Sequence, residues 1–153
     1  MSRYISPMIN QDLPYLGQAT GMLNADDLDL NNITGKVLLL QFWTFGCYNC
    51  VNTLPYMEVW YDELSDKEIE FISIHTPEFG YEKKEENVKA AIQKYHIKYP
   101  VLLDNNYSIW KAFSNRWWPH FFLIDKQGRI RYNFVGEGNY DTIRRLLLEL
   151  NDE

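Results

Sequence analysis

Residues Lys36 to Pro55 read KVLLLQFWTFGCYNCVNTLP, and this stretch decides the fold. The apolar run Val37 to Phe42 is short, β-branched at its start and preceded by the turn signal Gly35-Lys36, so it reads as a buried strand rather than a helix. It leads through Gly46 into Cys47-Tyr48-Asn49-Cys50, and an amphipathic pattern follows at once. Strand, tight turn and helix in succession place Cys47 at a helix N-terminus. There the first N–H groups lack intrahelical partners and the macrodipole is positive, so a thiolate is stabilised and the Cys47 pKa is expected below the free value of about 8.5. Cys50 follows about one turn on, within reach of a disulfide. Its more buried position makes it the poorer nucleophile. Cys47 is therefore the expected attacking sulfur and Cys50 the resolving one.

Composition narrows the class. A chain of 153 residues fits one domain, long enough to bury about 70% of its unfolded surface in a single core. The hydrophobic share of 46% and aromatic share of 16% indicate a folded globular protein. The net charge of −6, with no cluster of Lys and Arg, argues against nucleic acid as a partner. Two cysteines in one CxxC are too few for a secreted disulfide framework and read as a working pair. The first twenty residues, MSRYISPMINQDLPYLGQAT, lack a signal-peptide core, and no segment approaches the ~20 apolar residues of a membrane span.

Further motifs follow in order: HTPEF (His75 to Phe79), YPVLLDN (Tyr99 to Asn105), Trp118-Pro119, LID-x-x-G-x-IR (Leu123 to Arg131) and GEG-x-YD (Gly136 to Asp141). With FWT-x-x-C-x-N-C-x-x-TLPY, this series resembles the thioredoxin-like superfamily. It is closest to the TlpA-like thiol-disulfide oxidoreductases of the DipZ C-terminal type and to the thioredoxin-like domain that precedes NHL repeats in some proteins. The resemblance covers roughly residues 20 to 150. It implies an α/β fold of three layers, α/β/α, with a mixed central sheet and a short N-terminal extension. The cytoplasm is the expected compartment for the chain as given. Many members of the resembled group work outside it, so an extracytoplasmic setting is the alternative if the chain is a trimmed domain.

Along the chain, residues 1–19 read as an N-terminal arm, extended and loosely packed where Pro7, Pro14 and Gly17 fall, and residues 20–153 as the thioredoxin-like domain. The resemblance implies a short hairpin or strand within Thr20 to Gly35. After the CxxC, Val51, Leu54, Tyr61 and Leu64 mark one helical face, with Met57 and Trp60 beside it. Pro55 inside that helix is expected to kink it, and thioredoxin-like proteins carry a proline at this spacing. Ile69 to His75 is the next strand, Glu82 to Tyr95 a helix, Val101 to Asp104 a short strand and Tyr107 to Phe113 a short helix. Phe121 to Ile124 and Arg129 to Val135 form a hairpin, and Asn139 is the expected N-cap of a closing helix.

The CxxC admits three readings: a redox pair, half of a zinc site, or incidental buried cysteines. A closed zinc site needs four ligands, and only the dispersed His75, His96 and His120 could complete it. The strand-turn-helix setting favours the redox pair. The resemblance further implies a cis peptide bond before Pro119, with the Trp118 backbone left free to pair with an extended substrate and Trp43 and Trp117 as apolar walls. Thioredoxins carry an Asp six residues before the first cysteine, where this chain has Gln41. Some TlpA-like reductases carry a Glu six residues after it, where this chain has Thr53. Another group must move the proton. His75 and Glu78, at the C-terminal edge of the sheet, and Glu137, in the Gly-Glu-Gly turn, are the candidates. The run Glu82 to Asn87 reads as a solvated helix start.

The expected activity is thiol-disulfide exchange with a disulfide-containing or dithiol protein substrate and a second redox partner. The working unit is a monomer, and no metal or cofactor is implied beyond the cysteine pair. Two rivals compete: a thiol peroxidase, since Thr44 precedes Cys47 by three residues, and a metal-binding or metallochaperone module using Cys47, Cys50 and His75 or His120. A non-catalytic adaptor domain is the third.

Overall fold

The computed structural model describes residues 4–153, so residues 1–3 of the expected arm lie outside the described residues. The described chain forms strands β1 (Gly21–Leu23), β2 (Val37–Trp43), β3 (Ile69–His75), β4 (Val101–Leu103), β5 (His120–Ile124) and β6 (Ile130–Val135). Helices α1 (Tyr48–Leu64), α2 (Glu85–Lys94), α3 (Ser108–Ala112) and α4 (Tyr140–Asn151) connect or close them. The strands make one mixed sheet in the order β1-β4-β3-β2-β5-β6. β2, β3 and β4 run parallel, and β5, β6 and β1 run antiparallel to their neighbours.

Every residue of β2 is buried, as expected of a central strand covered on both faces, which is why its sequence shows a run and not an alternation. Val37, Leu39 and Trp43 pack under α1, α2 and α4, in a core that includes Leu54, Met57, Trp60, Val88, Ile143 and Leu147. Leu38, Leu40 and Phe42 face the other way, with Ile74, Phe113, Phe122 and Ile130. Among the described residues, the short helix α3 is the one α-helix on that second face. The rest of its cover is the 3-10 turn Leu16–Gln18, through Leu16, and irregular chain carrying Met8, Ile9, Leu13, Leu28, Leu30 and Ile33.

This corrects the expectation of a loosely packed arm. The Asn10 N–H donates to the Ile130 carbonyl at 2.7 Å, the Ile130 N–H to Gln11 at 2.9 Å and the Leu13 N–H to Gly128 at 2.8 Å. Leu16 is fully buried. A sheet face that one short helix covers only in part must be completed by something apolar, and burying one Leu contributes roughly 1.5–3 kcal/mol. These residues supply that cover and also shield the start of edge strand β6.

Three local expectations also change. The buried side of α1 is Cys50, Thr53, Leu54, Met57, Trp60 and Leu64, while Val51 and Tyr61 are half-buried. The face is rotated because the small polar Thr53 packs inward against Gln41. The helix expected over residues 82–95 is a 3-10 turn, Gly80–Lys83, followed by α2 from Glu85, with an extended Lys84 between them. Asn139 stands at the start of α4 in the left-handed region, φ 59°, and its side chain makes no cap. The turn Gly136 to Asn139 needs left-handed residues, and Asn tolerates that conformation better than most. The short strand expected between Thr20 and Gly35 does form, as β1 on β4.

Strand register gathers the loops that matter. Trp43 is level with His75, His75 with Leu103, Phe42 with His120, and His120 with Val135. The segments after β2, β3 and β4 and the segment before β5 therefore meet at one edge of the sheet, where open α/β sheets hold their ligands.

Candidate active site

Cys47 is the N-cap of α1, in extended conformation, and its sulfur accepts the Cys50 N–H at 3.2 Å. The Cys47 N–H is held by the Thr44 carbonyl at 3.2 Å. Both cysteines are free thiols, Cys47 half-buried and Cys50 buried. The Cys47 pKa is lowered from 9.0 to about 7, first by the hydrogen bond from the Cys50 thiol and then by the N–H groups of Cys50 and Asn49. Partial burial and the Glu78 charge oppose that shift. The favourable end of the helix thus acts through specific donors aimed at one sulfur. Burial pushes the Cys50 thiol up, far above the ordinary thiol range, and its bond to Cys47 adds to this.

The two positions where the resembled proteins carry acids are joined here as a neutral pair. Gln41 Nε2 donates to Thr53 Oγ1 at 2.6 Å, and the Thr53 hydroxyl donates to the Cys50 carbonyl at 2.6 Å. Amide and hydroxyl pin the first turn of α1 to β2 but offer no base.

His75, at the end of β3, is fully buried. Its Nε2 accepts the Phe45 N–H at 3.3 Å and lies 3.3 Å from the Thr44 hydroxyl, so the ring proton belongs on Nδ1, which has no side-chain partner among the described residues. Burial holds its pKa down at about 4. His75 therefore braces the Thr44-Phe45 turn as a neutral ring. Thr44 is itself fully buried with its hydroxyl against His75, which leaves the peroxidase comparison without its threonine beside Cys47. Glu78 is exposed, and its charge reaches Cys47. Glu137 is exposed in the turn whose Gly136 N–H binds the Pro119 carbonyl at 2.9 Å.

The Trp118–Pro119 peptide bond is cis. Pro119 is buried and Trp118 half-buried. The Trp118 ring lies 4.1 Å from Trp110 between centroids, and its Nε1 donates to the Thr76 carbonyl at 2.8 Å. The Trp118 backbone N–H and C=O have no partner among the described residues. Trp43 does not line a groove as expected. It is fully buried, donates to Ser73 Oγ at 3.1 Å and packs edge-on to His75, because its place on the central strand points it into the helix-covered core. The exposed rings beside Cys47 in sequence or in the loops at this edge are instead Tyr48 at 79%, Phe79 at 54%, Tyr81 at 52% and Trp117 at 38%. Of these, Trp117 is the one wall that the resemblance implies.

The residue missed altogether is Glu82. It is fully buried, and its Oε1 accepts the N–H groups of Glu78 at 2.7 Å and Phe79 at 3.1 Å. Its Oε2 is buried without a partner among the described residues. A Cβ on Gly46 would collide with that oxygen, so the carboxylate lies directly against the residue before Cys47. The sequence signal was an acid three residues beyond Phe79, the spacing of an acid that turns back to cap its own turn.

Among the described residues, no group of three or more His, Cys, Asp or Glu side chains is placed to hold a metal ion, and no helix is long and apolar enough to cross a membrane.

Residues 12–147 match the Redoxin family. Protein DipZ of Mycobacterium tuberculosis is 39% identical over 140 residues, covering 90% of this chain. The chain spans only 20% of the length of that protein. The thiol-disulfide oxidoreductase ResA of Bacillus cereus is 29% identical, covering 84% of this chain and 71% of ResA. The crystal structure of the thioredoxin-like superfamily protein SPOA0173 superposes with a TM-score of 0.82 at 25% identity, covering 95% of this chain and 97% of that one.

Proposed function

The chain belongs to the Redoxin family, and from that premise we propose that it is a thioredoxin-like thiol-disulfide oxidoreductase of the TlpA-like type whose residues divide the reaction as follows. The Cys47 thiolate attacks a disulfide of a protein substrate. A bond forms between Cys47 and one substrate sulfur while the other leaves as a thiolate. Cys50 then gives up its proton and attacks Cys47, releasing the second substrate thiol and leaving a Cys47–Cys50 bridge. Oxidation of a dithiol runs the same steps backwards, and a second redox partner resets the pair. The dithiol itself is the only redox group this reading requires.

One observation carries the division of labour: two thiols one turn apart, Cys47 ionising at about 7 and Cys50 held neutral by burial. The unpaired backbone of Trp118 supports an extended substrate segment pairing there, and the exposed rings of Tyr48, Phe79, Tyr81 and Trp117 give its flanking side chains apolar contacts. Both sulfurs and these rings come from one chain, so a monomer suffices. In this reading residues 20–153 form the working domain, and the described part of residues 1–19, from Tyr4 on, contributes to its cover.

Insulin-disulfide reduction tests the assignment. Cys47→Ser is expected to lower the rate by roughly a thousandfold or more, as loss of a nucleophile does. Cys50→Ser is expected to accumulate a substrate joined to Cys47, visible as a mass adduct that dithiothreitol removes. An active Cys47→Ser variant would overturn the assignment.

A further inference from the structure

Burying an ionised carboxylate costs several kcal/mol unless charge or hydrogen bonds offset it. Glu82 is fully buried, yet among the described residues it joins no ion pair. Its structural task, accepting the N–H groups of Glu78 and Phe79, uses one oxygen only. A glutamine would do that work without a buried charge. The second oxygen is sealed from solvent, without a partner among the described residues, against Gly46 in the turn that delivers Cys47.

The groups facing this carboxylate are Gly46 and the Tyr81 hydroxyl, with its charge also felt by Cys50 of α1 and by His75 of β3. No Lys or Arg pairs with it among the described residues. His75 is a poor rival base, because its free lone pair is occupied by the Phe45 N–H. Gln41 and Thr53 cannot accept a proton at neutral pH. The resolving thiol, meanwhile, must lose one before it can attack.

We infer that Glu82 is the proton acceptor for Cys50 in the second half of the exchange. This rests on the cysteine roles proposed above. In that step the Cys50 S–H bond breaks and its proton passes to the Glu82 carboxylate. The Cys50 sulfur bonds to the Cys47 sulfur. The bond between Cys47 and the substrate breaks with its electron pair going to the substrate sulfur, which leaves as a thiolate. The Glu82 proton is then returned to that thiolate or to water. Two electrons pass from the dithiol to the substrate, and no other reactant is needed.

Rapid mixing of the reduced full chain with the aryl disulfide 5,5′-dithiobis(2-nitrobenzoate) separates the two halves. Cys47 releases the first thionitrobenzoate, and Cys50 releases the second. In Glu82→Gln, which keeps the acceptor for both N–H groups, the first release is expected within about twofold of the unmutated chain. The second is expected to slow about tenfold or more at pH 7, the low end of what a placed base supplies. That gap should close as pH rises and hydroxide takes over. Glu82→Asp, which keeps the charge on a shorter stem, should recover part of the second rate, and provides the same readout should the Gln variant prove unstable. A second release unaffected by Glu82→Gln would overturn the inference. So would equal slowing of both releases at every pH, or an Asp variant as slow as the Gln variant throughout. If instead the first release survived Cys47→Ser, the cysteine roles themselves would fail, a result that Glu82 variants cannot mimic.

Discussion

Cys47 and Cys50 belong to the same helix, one turn apart, and their surroundings push them in opposite directions. Cys47 caps the helix at the protein surface, where donors from Cys50 and Asn49 bring its pKa to about 7. Cys50 faces β2 in the helix-covered core, with no donor for its sulfur strong enough to offset burial. The difference teaches how a symmetric-looking motif can support an ordered mechanism. In the proposed function Cys47 is the sulfur that ionises more readily and is reachable by a substrate, and Cys50 is kept as a thiol whose hydrogen bond stabilises the first. Attack and resolution would then be separated by solvent access and proton supply, not by sulfur chemistry.

The largest break in that contrast comes from removing the donor. Cys50→Ala deletes the strongest contact to the Cys47 sulfur, so the Cys47 pKa is expected to climb from about 7 toward 9.0. The thiolate share at pH 7 would then fall from about a half to about a tenth or less. The sign is that of a stabilised anion losing a donor, and the thiolate absorbance near 240 nm, followed against pH, measures it. Cys50→Ser keeps an O–H donor and should shift Cys47 less. An unchanged Cys47 pKa in the Ala variant would mean that the helix end alone sets it.

A smaller effect sharpens the same comparison from behind. Thr53→Val removes the acceptor of Gln41 Nε2 and the donor to the Cys50 carbonyl. Leaving a buried amide unpaired costs roughly 1–3 kcal/mol, which urea unfolding of the reduced protein would register. The pH profile of exchange should stay in place, because this pair carries no proton. A displaced profile would return positions 41 and 53 to the reaction.

The cysteine half of the site was legible because its physics is local. A strand, a Gly and a CxxC at a helix start fix the N-cap and the spacing of the sulfurs within a few residues of chain. The opposite half depends on distant packing. Trp43, beside the motif, reads as a groove wall, yet alternation along β2 turns it inward. Glu82 sits in a run of Lys and Glu that any composition rule assigns to solvent. Only the return of its carboxylate to the N–H groups of Glu78 and Phe79 buries it, and that bond depends on how the chain after β3 is laid against Gly46. The N-terminal cover failed for a related reason. Scattered apolar residues in irregular chain show no period, so their shared target, the face of β2 and β5 that one short helix covers only in part, appears only once the sheet is assembled.

Competitive alkylation of the reduced chain with iodoacetamide across pH 5 to 10, read site by site by mass spectrometry, tests the central claim most directly. Cys47 is expected to reach half its maximal rate near pH 7, falling about tenfold for each pH unit below that as the thiolate is protonated, while Cys50 stays unmodified across the range. Two cysteines titrating together near the ordinary thiol value, or Cys50 reacting first, would contradict the account.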